Sequence, residues 1–246
     1  MPTNKKIIVT GEHNDSGNRY PSSDLNGNTL LWQEVPVLNF DRLPVESAFF
    51  SSMSAQPFDW VIFTSVRAVR FWSELLLEHS VDFPIETQVA CIGETTAHAA
   101  EMDGYTPDFF PTEPGSEMFL AEFEELLSNR SEKPRVLVPA ALGGRTMISD
   151  RLRRLGCEVQ RLSIYKTSPR PDISAHLTQK DLDEAALVLF TSPSSVDAVS
   201  SLFNLHSKVR VGSMGTFTRE HLMSKGIAHA VLLPEGDFQK VGEILC

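Results

Sequence analysis

Trp60-Val61-Ile62-Phe63-Thr64-Ser65, continued by Val66-Arg67-Ala68-Val69-Arg70-Phe71-Trp72, decides the fold, because the chain repeats its plan at Leu187-Val188-Leu189-Phe190-Thr191-Ser192-Pro193-Ser194-Ser195-Val196. In both copies an apolar run of strand length stops at a Thr-Ser pair. Apolar residues then recur at helical spacing: Val69, Trp72 and Leu76 in the first copy, Val196, Val199 and Phe203 in the second. The pattern predicts strand, tight turn and helix. Ser65 and Ser192 stand at helix N-cap positions, and Pro193 takes the first helical position, where its missing N–H costs nothing and Ser192 is kept extended.

The stretches on either side are also echoed. Gln88 to Ile92 runs onto a turn at Gly93-Glu94-Thr95-Thr96, and Val209 to Met214 runs onto Gly215-Thr216-Phe217-Thr218, so that Gly93 aligns with Gly215 and Thr96 with Thr218. Gly104 to Pro111 pairs with Gly226 to Pro234, each read as a strand before an amphipathic helix, with Phe119, Phe123, Leu126 and Leu127 marking the first of these helices. Arg135 to Pro139 answers the N-terminal run Lys6 to Thr10, and Val159 to Tyr165 answers Gln33 to Leu38. Partners lie 122 to 129 residues apart, so the chain is a tandem duplication of an alternating strand/helix unit, roughly 1–130 and 134–246. Such alternation implies α/β architecture with parallel sheets and helices on both faces. Ligands sit outside the carboxyl ends of strands in these sheets, where Thr64, Ser65, Gly93 to Thr96, Thr191, Ser192 and Gly215 to Thr218 all fall. Two such rims facing each other would form a cleft.

Between these elements, Glu12 to Asn28 is polar and aperiodic and reads as a loop, while Leu30 to Asn39, broken by Pro36, reads as an edge or connecting strand. The composition is ordinary: 246 residues, 41% hydrophobic and 22% charged, enough for one large or two modest domains. A net charge of −10 and a pI near 5.2 argue against nucleic acid or an anionic membrane as the partner, so an anionic ligand would have to be held locally. Cys91, Cys157 and Cys246 are odd in number and lack CxxC spacing, which fits a reducing cytosol better than a disulfide framework. The polar start, Met1 to Lys6, carries no signal-peptide core, and no run reaches membrane-spanning length. His13, His79, His98, His176, His206, His221 and His229 include no i, i+4 pair, so no metal is expected.

A Ser or Thr at a helix start can simply satisfy an N–H. The pairing of Ser65 with Ser192, and the shared position of Thr96 and Thr218 after a glycine, favour a ligand: Gly admits close approach to the backbone, and free N–H groups of a helix start accept anions. Ala140-Ala141-Leu142-Gly143-Gly144-Arg145-Thr146 follows a strand and opens a helix carrying Ile148, Leu152 and Leu155, with Gly156 at its C′ position. Gly143, Gly144 and Arg145 make an anion cradle without the spacing of a dinucleotide site or a P-loop. Arg67 and Arg145 are equally consistent with solvated surface charges, and Arg153 and Arg154 are read as such. Tyr165 ends a connecting strand just before Pro169 and Pro171, where its alternative role is interdomain packing. No Ser-His-Asp set, paired carboxylates or cysteine nucleophile is present, so an enzyme built this way works mainly by holding its substrate.

The motifs FTS with Arg67 and Val69, IGETTA, GGR before an amphipathic helix, IYKT, FTSPSSV and MGTFT occur in this order in a duplicated chain, which resembles the uroporphyrinogen-III synthase family over nearly its whole length. The resemblance implies two similar flavodoxin-like α/β domains joined by a two-stranded linker, with a ligand cleft between them. It also implies that the domains exchange parts relative to the sequence copies: 1–36 with 168–246 in one, 41–160 in the other, and 34–40 with 160–167 as linker strands. Ile8 is then expected in the sheet of Phe190.

The implied reaction cyclises the linear tetrapyrrole hydroxymethylbilane, with loss of water and inversion of the terminal pyrrole, to uroporphyrinogen III on the way to haem. Tyr165 matches the family's linker tyrosine, which hydrogen-bonds near the departing hydroxyl. Thr96 and Thr218 match its helix-start threonines, and Ser65 and Ser192 to Ser194 its strand-end hydroxyls. The wider set of expected substrate contacts is Thr64, Arg67, Gly93, Thr95, Gly143, Gly144, Arg145, Gly215 and Thr216, with no cofactor, and a cytoplasmic monomer as the working form. One departure from the family is at the first strand, where Thr10 is followed by Gly11-Glu12 and a loop instead of Thr-Arg and a helix. Two rival readings are a two-lobed binding protein for a small anion, which would typically be exported, and a sugar-phosphate enzyme, which would favour one dense Gly/Ser loop.

Overall fold

Strand-forming runs buried along their full length, Trp60–Phe63 and Leu187–Phe190, each take the centre of a parallel sheet, as expected of strands covered on both faces. The structure, a computed structural model, describes residues 3–11, 20–113, 115–128, 133–205, 209–234 and 237–245. His13, His206, Cys246 and residues 12–19 of the polar loop lie outside the described residues. The chain divides into unit 1, residues 1–39 and 167–246, and unit 2, residues 40–166.

Unit 1 begins with β1 (Asn4–Thr10) and β2 (Thr29–Glu34). The chain then builds unit 2 from β3 (Leu38–Arg42), α1 (Ser47–Ala55), β4 (Trp60–Phe63), α2 (Val66–Glu78), β5 (Gln88–Cys91), α3 (Glu94–Met102), β6 (Pro107–Phe109), α4 (Ser116–Ser128), β7 (Arg135–Ala141), α5 (Met147–Arg154) and β8 (Glu158–Pro169). It returns to unit 1 through α6 (Ile173–His176), α7 (Gln179–Glu184), β9 (Leu187–Phe190), α8 (Pro193–Ser200), β10 (Val211–Met214), α9 (Thr216–Ser224), β11 (Val231–Leu233), a 3₁₀ turn (Phe238–Lys240) and α10 (Val241–Ile244).

The sheet of unit 1 runs β11-β10-β9-β1-β2, and that of unit 2 runs β6-β5-β4-β7-β8 with β3 added at the β8 edge. Substituting β9, β10, β11, β1 and β2 for β4, β5, β6, β7 and β8 turns one order into the other, so the duplication is visible in the topology. Ile8 pairs with Val188, and Thr10 with Phe190; β1 therefore lies in the sheet of Phe190, and β7 takes the matching place beside β4. In unit 2, Val61, Phe63 and Leu137 pack with Phe50, Trp72 and Leu75 on one face of the sheet. Trp60, Ile62 and Val136 pack with Phe119, Phe123 and Leu152 on the other. The period-2 alternation of the strands has sorted one apolar run into two cores.

The structure differs from the sequence reading in four local respects. Helix α8 stops at Ser200 and leaves Phe203 outside it; the Ser200 and Ser201 hydroxyls donate to the Asp197 and Ala198 carbonyls and compete with helix continuation. Strand β8 runs through Pro169 instead of stopping at Thr167, because a proline at a strand terminus forfeits no interior ladder bond. Leu30 to Asn39 is split: residues up to Glu34 pair with β1, Val35–Val37 carry no strand, and Leu38 starts β3. The strands inside Gly104–Pro111 and Gly226–Pro234 shrink to the three residues of β6 and of β11.

Candidate active site

In each sheet the strand order reverses direction once, between β7 and β4 in unit 2 and between β1 and β9 in unit 1. The crevice beyond the carboxyl ends of such a strand pair is where open α/β sheets take ligands. In unit 2 those ends deliver Thr64-Ser65 and the turn after Ala141. In unit 1 they deliver Thr10-Gly11 and Thr191-Ser192.

Ser65 is extended, at φ −169° and ψ 156°, and its Oγ accepts the Ala68 backbone N–H at 3.1 Å, capping α2. The same Oγ lies 3.3 Å from the Tyr165 phenol oxygen. Tyr165 is 8% exposed and its ring stacks on Phe71, with centroids 5.1 Å apart and planes 28° apart. A β-bulge aims it there: Ala140 pairs with Ser163, but Ala141 pairs with Tyr165, so Ile164 is extra. Strict alternation would put Ile164 and Tyr165 on opposite faces, yet both join the cluster of Phe63 and Trp72. The Leu142 N–H donates to the Tyr165 carbonyl at 2.7 Å and ties the bulge to the neighbouring turn. Thr64 is half-buried beside Ser65. The Arg67 guanidinium sits over the Phe40 ring, 3.5 Å from its centroid, so this side chain lies on an aromatic face of its own unit.

In the turn after β7, Gly143 has φ +69°, a conformation that favours glycine. Gly144 lies in a tight place: a Cβ there would come within 3.1 Å of the Ala141 carbonyl oxygen and of Arg161 Nη2, so its neighbours would have to give by a few tenths of an ångström. Arg161 carries no signal in the sequence, because a lone arginine in mid-strand belongs to no motif. Its Nη2 donates to that carbonyl at 2.7 Å, and its Nε is buried without a hydrogen-bond partner among the described residues. Arg161 is thus the cation folded under the turn, while Arg145 stands exposed.

The matching junction of unit 1 is closed on itself. Ser192 caps α8 by accepting the Ser195 N–H at 3.2 Å, and Ser195 Oγ accepts the Ser192 N–H at 3.3 Å, a reciprocal capping box. Ser195 is fully buried, and its Oγ lies 3.1 Å from Thr10 Oγ1. The Thr191 hydroxyl donates to the Thr10 carbonyl at 2.6 Å. Ser194 is exposed.

Gly93 and Gly215 occupy the N-cap positions of α3 and α9. Gly215, at φ +79°, needs to be glycine; Gly93, at φ 175°, is in extended backbone that any residue adopts. Thr95 and Thr216 are exposed, whereas Thr96 and Thr218 are buried, at 5% and 2% exposure. The helix-start threonines the sequence singled out are therefore covered, while Thr95 and Thr216 in the same two turns are exposed. Burial pushes the Cys91 thiol up to about 12, the opposite of what a nucleophile requires. Among the described residues, no three His, Cys, Asp or Glu side chains are grouped to hold a metal ion, and no helix is long and apolar enough to cross a membrane.

Residues 32–239 match the family model for uroporphyrinogen-III synthase HemD. A protein of Methanothermobacter thermautotrophicus named "Putative uroporphyrinogen-III synthase" is 27% identical over 207 residues, covering 78% of this chain and 79% of that protein. Two solved structures share the fold. Uroporphyrinogen-III synthetase from Helicobacter pylori superposes with a TM-score of 0.64 at 19% identity, covering 98% of this chain and 97% of that one. A mutant uroporphyrinogen III synthase from Thermus thermophilus gives 0.61 at 18% identity, covering 98% of each chain. With the family model matched over most of its length, the chain belongs to the uroporphyrinogen-III synthase family.

Proposed function

We propose that this chain cyclises hydroxymethylbilane to uroporphyrinogen III as a hydro-lyase, with Tyr165 as the hydrogen-bond donor to the departing hydroxyl. The observation that carries this reading is the Tyr165 phenol, held at the carboxyl end of the unit 2 sheet by a bulge, a ring stack and a cap serine. When the terminal hydroxymethyl group ionises, its C–O bond breaks as the pyrrole nitrogen feeds its electron pair towards that carbon; the Tyr165 phenol, donating to the departing oxygen, stabilises its developing charge, and the oxygen leaves as water with one added proton, balanced by the proton lost from the pyrrole N–H. The rest of the work is positioning, since the bilane closes unaided to the wrong isomer and the protein must hold one geometry.

The substrate's carboxylates are suited by the N–H groups at the starts of α2 and α3 in unit 2 and of α8 and α9 in unit 1, each worth about 0.3–1 kcal/mol at exposed sites. We assign substrate contact to Thr64, Gly93, Thr95, Gly143 and Gly144 in unit 2, and to Ser194, Gly215 and Thr216 in unit 1, while Ser65 and Ser192 serve the site as the caps that order their helix starts. Thr96 and Thr218 contribute through their helix starts, and Arg67 and Arg145 act as secondary charges. The two buried free thiols, Cys91 and Cys157, are consistent with a reducing cytoplasm, and a monomer is the working form we infer. The test is to supply hydroxymethylbilane and resolve the type I and type III products. The reading requires type III to predominate, and a product mixture matching the enzyme-free control would refute it.

A further inference from the structure

We propose that Ser65 is a positioning residue that sets the direction of the Tyr165 phenol proton, an inference that rests on the reading of Tyr165 given above. A hydroxyl carries one proton and two acceptor lone pairs. Ser65 Oγ already accepts the Ala68 N–H at 3.1 Å, at the positive end of α2. The contact to Tyr165 Oη at 3.3 Å can then run either way. If the phenol donates to Ser65, its only proton is spent inside the protein. If Ser65 donates to the phenol, that proton is free for the substrate.

Cooperativity selects the second direction: an oxygen that accepts a hydrogen bond becomes a better donor through its own O–H, so a chain from the Ala68 N–H through Ser65 to the Tyr165 phenol is strengthened when every link points outward from the helix. The Phe71 stack and the bulge fix the ring, and Ser65 fixes the remaining freedom, the rotation of the phenol proton. A distance of 3.3 Å without substrate is compatible with a bond that tightens in the complex.

The test compares Ser65→Gly, Ser65→Thr, Tyr165→Phe and the Ser65→Gly/Tyr165→Phe double variant of the full chain in the bilane assay. Glycine costs an N-cap little, so the fold is retained while the hydroxyl is lost, and threonine restores it. The expected result is that Ser65→Gly lowers kcat by about 2- to 10-fold with KM nearly unchanged, that Ser65→Thr recovers most of the loss, and that the double variant is no slower than Tyr165→Phe alone. Losses that multiply in the double variant, or a Ser65→Gly enzyme with undiminished kcat, would overturn the inference. The ζ-carbon NMR resonance of Tyr165 reads the contact without turnover. It should move in Ser65→Gly and stay in Ser65→Thr even if the chain proves unable to make uroporphyrinogen III, and an unmoved resonance in Ser65→Gly overturns the inference by itself.

Discussion

Ser65 in unit 2 and Ser192 in unit 1 share a backbone conformation, φ −169°, ψ 156° and φ −160°, ψ 158°, and each follows a fully buried four-residue strand and caps a helix. They part three residues later. Ser195 returns a bond to the Ser192 N–H and, with Thr10 and Thr191, consumes the hydroxyls of the unit 1 junction in protein contacts. Ala68 returns nothing, and Ser65 reaches Tyr165. A duplicated element can thus keep its fold-making part, the cap, in both copies while one side chain decides whether its hydroxyl serves stability or is left for chemistry.

The largest expected effect tests the shared part. Phe63 and Phe190 are both fully buried at the ends of their central strands, and truncation to alanine should cost about 3–5 kcal/mol in either unit. Denaturant melts of Phe63→Ala and Phe190→Ala read this, and a loss under about 1 kcal/mol in one of them would break the structural equivalence.

Acid should separate the units next. In unit 1, Lys5 and Asn28 hold the Asp24 carboxyl well below the usual range, Arg170 lowers Asp172 to about 2, and Lys6 and Thr178 lower Asp181 to about 2. In unit 2, Arg151 lowers Glu124. A depressed carboxylate contributes stability that is complete above its unfolded value of about 4 and is lost as pH falls from there towards its folded value. The Lys6–Asp181 pair is about one-third exposed at 2.8 Å and contributes under about 1 kcal/mol, but the contributions of several such groups in one unit act together. Between pH 4 and pH 2, hydrogen exchange of β9 amides should accelerate more than that of β4 amides, and Asp181→Asn should flatten part of the unit 1 response. Equal acceleration in both units would contradict the asymmetry.

The smallest expected effect is the most specific. Ala68→Ser offers unit 2 the box that unit 1 has, a bond from the Ser65 backbone N–H to the new hydroxyl, and should hold the Ser65 backbone closer to its own turn, away from Tyr165. The melting temperature should hold or rise slightly while kcat falls by no more than about tenfold, the worth of one neutral hydrogen bond. A stabilised variant with undiminished kcat would show that the box and the Tyr165 contact coexist.

The parts of this arrangement legible in the sequence are those with local chemical causes. Two Thr-Ser pairs after apolar runs give both caps, Pro193 marks the start of α8, and Gly156, at φ +90°, marks the end of α5. The α/β class and the parallel sheets follow from the alternation, while the placement of Ile8 beside Val188 came from family resemblance, since the repeat alone is equally consistent with undisturbed halves. The bulge at Ile164 carries no glycine to announce it, and it exists because Ala141 and Tyr165 are drawn into register by the turn that follows β7. Arg161 was invisible for a related reason: its role depends on the missing side chain of Gly144, seventeen residues away in the chain and at contact distance in space. The position of Thr96 and Thr218 after glycine points to ligand groups, but the phase of each helix buries both.

The most direct measurement of the central claim sets Tyr165→Phe against Ser195→Ala in one experiment, with thermal melting and the rate of type III product formation read on the same samples. The account predicts opposite signatures. Tyr165→Phe should melt like the wild-type chain and lose kcat by about 10²-fold or somewhat less, with its product still the inverted isomer. Ser195→Ala, which breaks the buried box, should lose about 1–3 kcal/mol of stability while its folded fraction turns over normally. A Tyr165→Phe enzyme with wild-type turnover, or a Ser195→Ala enzyme that melts normally yet turns over slowly, would contradict the assignment of chemistry to the unit 2 junction and stability to that of unit 1.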